Sequence, residues 1–110
     1  MNQRKGAVMK VYRQGDVCLI LVAELPKGAE LAQVDGDVIL AHGEVTGHAH
    51  RIKDSAKTRV YDAGAERFIE VMEAVALTHE EHGTVLLQRG VYRQAFQVDD
   101  FGTEVRRVAD

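Results

Sequence analysis

The chain has 110 residues, 45% of them hydrophobic and 28% charged, with 14 basic against 17 acidic side chains and a formal charge of −3. That is enough chain for one modest core and too little for two, and the composition is too apolar for a disordered segment. The adjacent basic pairs are Arg4-Lys5 and Arg106-Arg107 only, so no basic face is gathered and nucleic acid is not expected as a partner. No run approaches the roughly 20 apolar residues of a membrane span, so no membrane association is expected. Residues 1–10 hold no apolar stretch of signal-peptide length, and the expected location is cytoplasmic. Cys18 is the single cysteine; among Val17, Leu19 and Ile20 it reads as a small buried hydrophobe rather than a nucleophile.

Residues 1–6 are polar and expected to fray. A first short strand is expected over residues 8–13, then turn chemistry at Gln14-Gly15-Asp16. The nearly continuous apolar run of residues 17–22 fits a central strand buried on both faces. Pro26, the one proline, ends it. Residues 31–34 allow a short strand, Asp35-Gly36-Asp37 a tight turn, and residues 38–41 the next strand. His42-Gly43 is expected as a kink or bulge, followed by a histidine strand over residues 44–52. Another strand starts at Arg59. Residues 65–82 carry helical composition, but residues 67–71 and 74–78 also pass as strands around a Met72-Glu73 turn, and the strand-like neighbours favour that choice. Strands over residues 84–88, 91–98 and 104–108 close the chain, with turns at Arg89-Gly90 and Asp99-Asp100-Phe101-Gly102.

The expected fold is therefore all-β: a small single domain over residues 1–110, a barrel or sandwich of about eight short, mostly antiparallel strands. Edge strands in so small a β-domain invite cover by a partner chain, so a homo-oligomer is a plausible state.

All five histidines fall within residues 42–82, as His42, His48-Ala49-His50 and His79-Glu80-Glu81-His82. On a straight strand His48 and His50 share one face about 6.6 Å apart, close enough to converge on one ion. With His79 and His82 they form a candidate mononuclear site for a divalent metal (Zn, Fe, Mn, Ni or Cu); the lack of thiolate ligands disfavours Cu(I). Three protein ligands leave a position open for water or substrate, and four close it. Metal-bound water needs a base, for which Glu81 and Glu44 are the candidates with Glu80 beside them; Arg51 or Tyr61 would hold an anionic substrate. His79-x-x-His82 is not the peptidase motif His-Glu-x-x-His, since the second histidine comes at +3. A solvated acidic loop flanked by surface imidazoles, or a proton-responsive histidine cluster, accounts for the same residues without metal. An enzyme acting on a small polar molecule, a metal carrier or sensor, and an interaction module all remain open.

The phrases Tyr12-Arg13-Gln14-Gly15-Asp16-Val17, Gly43-Glu44-Val45-Thr46-Gly47-His48-Ala49-His50-Arg51-Ile52 and His79-Glu80-Glu81-His82-Gly83 resemble those of a group of small, uncharacterised bacterial proteins. The resemblance spans most of the chain and implies that the phrases belong together; it carries no activity. A weaker similarity is to the cupins, β-barrels with a His-x-His pair, an acid a few residues on and a later histidine. His48 and His50 match the pair, Asp54 stands where the acid falls although the usual residue is Glu, and His79 or His82 stands for the last ligand. The second cupin motif is not matched: Gln88-Arg89-Gly90 lacks its proline, and Tyr92-Arg93 occupies the region of its histidine. What the similarity implies is architecture more than site.

Overall fold

The computed structural model describes residues 9–43, 45–53, 55–95 and 105–109. Within them the chain forms β1 (Met9–Gln14), β2 (Val17–Val22), β3 (Glu30–Leu31), β4 (Val38–His42), β5 (Ala49–Ile52), a 3-10 turn at Ser55–Lys57, β6 (Thr58–Ala63), β7 (Glu66–Val71), β8 (Val75–Thr78), β9 (Val85–Leu87), β10 (Gly90–Ala95) and β11 (Val105–Ala109). Seven strands lie in the order β11-β1-β2-β10-β7-β6-β3 and four in the order β4-β5-β8-β9. All neighbours are antiparallel except β1 and β11. The two sheets do not close into a barrel, so of the two expected architectures the chain adopts the sandwich. Among the described residues no helix is long and apolar enough to cross a membrane.

Burial explains the arrangement. Leu19 and Tyr12 from the large sheet, Ile69 and Val71 from β7, and Tyr92 from β10 pack with Val38, Ile52, Leu77, Val85 and Leu87 from the small one, in one buried cluster. Each strand contributes alternate residues, as the period of two requires. Tyr12 and Tyr92 meet edge to face, 5.6 Å between ring centres, the arrangement their quadrupoles favour. β2 is buried on both faces: Val17 and Leu19 look into the sandwich, while Cys18 and Ile20 join Val11 and Ala95 in a second, smaller cluster. The central-strand reading of residues 17–22 and the buried Cys18 both hold.

Other expectations need correction. Within residues 65–82 the chain forms strands, as favoured, at 66–71 and 75–78, but β7 and β8 belong to different sheets rather than one hairpin. The bulge expected at His42-Gly43 lies at Leu40, between Ile39 opposite Arg51 and Ala41 opposite His50. The Leu40 carbonyl instead accepts a bond from Gln94 Nε2 at 2.7 Å across the sandwich. The histidine strand does not run from residue 44: β5 begins at Ala49. Gly47 takes a positive φ of 86°, and Gly43 N–H donates to the His48 carbonyl at 2.8 Å while His48 N–H donates to Val45 at 3.0 Å. Those bonds close a compact connection, so local turn chemistry outweighs the strand propensity of Val45 and Thr46. Residues 31–34 shrink to the two-residue β3. Glu44, Asp54 and the turn at residues 99–102 lie outside the described residues, as do 96–98 of the strand expected to end there.

Candidate functional site

Three connections meet at one end of the sandwich: the β1–β2 turn from the large sheet, and the β4–β5 and β8–β9 connections from the small one. Register places their histidines. β5 and β8 pair through Ile52 opposite Leu77 and Arg51 opposite Thr78. Carried one residue on, that register sets His50 opposite His79, and carried three on it sets His48 opposite Glu81. Side chains occupy these places although the backbone pairing has ended. The rings of His50 and His79 have centres 4.3 Å apart, and His48 Nδ1 lies 3.0 Å from Glu81 Oε2. In the slot between, Ala49 N–H donates to Glu80 Oε1 at 3.0 Å, the carboxylate replacing a strand partner.

His50 is the anchored member. It shares a strand face with the core residue Ile52, which turns it inward to 6% exposure. Its Nδ1 lies 2.8 Å from Oε1 of Gln14, which is fully buried at the end of β1. The Gln14 amide nitrogen donates to the carbonyls of Leu77 and Gly83, each at 2.9 Å. With both amide hydrogens committed, Oε1 can only accept, so His50 carries its proton on Nδ1 and Nε2 holds an open lone pair. Burial, then the nearby His79 and His82, hold the His50 pKa below its ordinary value, with Asp16 and Glu80 partly opposing. His50 is thus a neutral base with one nitrogen presented.

His82 and His79 gather around it. The His50 and His82 ring centres are 5.7 Å apart, His79 and His82 4.7 Å, and His48 and His79 6.0 Å. Gly15, at φ +57° in the two-residue β1–β2 turn, leaves room for this: a Cβ there would fall 2.8 Å from His82 Nε2. Two imidazoles that share an ion at about 2.0–2.1 Å have ring centres roughly 4.5–5.3 Å apart. The spacings among His50, His79 and His82 straddle that range. The donor atoms do not yet converge: among the described residues no three His, Cys, Asp or Glu side chains are arranged to hold one ion. One reason is local. His79 Nδ1 accepts a hydrogen bond from the Glu81 backbone N–H at 3.0 Å, which assigns the His79 proton to Nε2 in the neutral ring.

A cavity of about 370 Å³ opens here, lined by all five histidines together with Gly15, Asp16, Val17, Ala41, Gly43, Val45 and Glu81. His42, which is not among the four candidate ligands, is therefore part of the wall, as is Asp16 of the β1–β2 turn. Of the two glutamates in the 79–82 connection, Glu81 faces the cavity and is exposed; its Oε2 comes within 3.0 Å of His48 Nδ1 without the alignment of a hydrogen bond. Glu80 points away, held by Ala49 N–H and 3.7 Å from Arg51. The backbone bond from Ala49, first among the causes, keeps the Glu80 carboxyl below the usual range. Arg51 and Tyr61 do not line the cavity: Arg51 serves Asp37, Glu80 and the Gly47 carbonyl, and Tyr61 donates to Glu70. The substrate-holding role expected for that pair is not supported.

Residues 13–97 match a family described as a domain of unknown function (DUF8820), and the chain belongs to that family. No curated protein and no solved structure matches it.

Proposed function

We propose that this protein binds one divalent transition-metal ion (Zn, Fe, Mn, Ni or Cu) at the open end of the sandwich. His50 and His82 are the first ligands, and His79 and His48 complete the set. The observation that carries the reading is the bond from His50 to a buried glutamine whose own donors are spent on two carbonyls. Metal-ligating histidines characteristically donate their second ring nitrogen to such an oxygen, which fixes the tautomer and aims the lone pair. A surface imidazole has no need of a fully buried partner. The cavity beside the ligands leaves space for water or a small polar molecule, with Glu81 as the carboxylate next to it. Glu44, the other candidate base, lies outside the described residues.

A non-enzymatic carrier or sensor is the second reading, favoured by the engaged Nδ1 of His79. A cytoplasmic setting, a small molecule as ligand and a homo-oligomer are consistent with the proposal. Elemental analysis of untagged protein tests it. Near-stoichiometric metal is expected in the native chain, and its loss in His50→Ala and in the His48→Ala/His50→Ala double variant. No uptake of any of the five metals by the native chain would sink the reading.

A further inference from the structure

We propose that metal entry switches the connection at residues 79–82 by taking His79 away from the Glu81 backbone, which makes the site metal-responsive rather than preformed. This rests on the metal-binding reading above. His79 is the central ring of the cluster, nearer to His50 and to His82 than those two are to each other. Its ligation is hard to avoid, yet its present hydrogen bond blocks both nitrogens. Binding through Nδ1 uses the lone pair that now accepts the Glu81 N–H. Binding through Nε2 requires the proton to leave that atom; a neutral ring then carries it on Nδ1, and two N–H groups face each other. By either route the Glu81 amide loses its partner while the ring stays neutral overall.

The rest of the connection localises the change. Glu80 is clipped to Ala49, and the Gly83 carbonyl is held by Gln14. Both ends are held by hydrogen bonds, so the change falls on Glu81 and His82, both exposed. Glu81 is also the residue set against His48. Freeing its backbone repositions the one carboxylate of that connection that faces the cavity, so the metal state is reported at the molecular surface. His50 has no such conflict, because its proton already sits on the nitrogen turned to Gln14.

The test is ¹⁵N-edited NMR of uniformly labelled full-length protein titrated with Zn²⁺ alone. Without metal, His50 is expected as the Nδ1–H tautomer and His79 as Nε2–H. With Zn²⁺ bound, His50 keeps its tautomer, His79 changes protonated nitrogen or ligates through Nδ1, and Glu81 amide exchange accelerates by at least about tenfold. A His79→Ala variant should have a fast Glu81 amide with and without metal. Zinc bound at His50 with the His79 tautomer and Glu81 exchange both unchanged would overturn the switch and leave the metal site standing. A zinc-dependent Glu81 change that persists in His79→Ala would also overturn it. Failure to bind zinc or any other divalent ion would overturn both readings.

Discussion

Gln14 belongs by its neighbours to turn chemistry, yet it is the residue that anchors His50 and ties the two sheets together. The signal was available: Tyr12 faces the core, and a period of two carries the next inward position to Gln14. What the sequence hides is that its amide bridges the two sheets, from β1 to the carbonyls of Leu77 and Gly83. Replacing it by Leu strands two carbonyls and frees the His50 tautomer. Gln14→Leu should lower stability by about 2–3 kcal/mol, measured by urea unfolding, and weaken metal binding by roughly 10- to 100-fold, measured by competition with a chelator dye. A second expectation concerns pH. His50 has a native pKa below the 6.5 of the unfolded chain, so its contribution to the metal-free fold is complete above that value. It is lost as pH falls from there through the lowered native value, where the unfolded chain binds more protons. Metal affinity at His50 should hold to lower pH than a free imidazole allows, checked by titrations between about pH 7 and 5.

At the level of strands, most of the architecture was legible because apolar runs and alternation announce it: residues 17–22, 67–71 and 91–95 fall where expected. The histidine strand was misjudged. Parity puts His48 beside His50, but the connection closed by Gly43, Val45 and His48 keeps His48 off the strand, and His79, just past the end of β8, meets His50 instead. Sequence spacing cannot reveal a cross-strand register between residues nearly thirty positions apart. The Glu80 clip is part of that register, and its electrostatics can be tested. The native Glu80 carboxyl titrates below the ordinary 4.5, so its stabilisation is present above that value and lost as pH falls through the native one. Glu80→Gln should therefore lower the melting temperature at neutral pH, change it little near pH 3, and so flatten the acid side of the melting profile between about pH 5 and 3, checked by thermal melts at each pH.

For the molecule as a whole, the site is a junction between layers: Gln14 and Gly15 come from the large sheet, and the histidines from the small one. An ion held there binds the native state alone, since the unfolded chain scatters these groups. Free metal at 100 times Kd should stabilise the fold by about 2.7 kcal/mol, raising Tm by roughly 10 °C for a domain of this size. Calorimetry of the native chain should show that shift, and His50→Ala should not.

The continuation of the β5–β8 register beyond its last backbone bonds makes chain length a constraint of its own. Each residue added or deleted between Leu77 and His79 would move His79 by one slot, bringing a threonine or a glutamate opposite His50 and turning the imidazole to the other side of the sheet. The connection at residues 53–57, which joins β5 to β6, carries no such count. Single-residue insertions there should leave metal uptake intact, whereas a deletion of Thr78, which puts Glu80 opposite His50, should abolish uptake in a protein that still folds. The spacing of this motif is as much a part of its chemistry as the side chains it delivers.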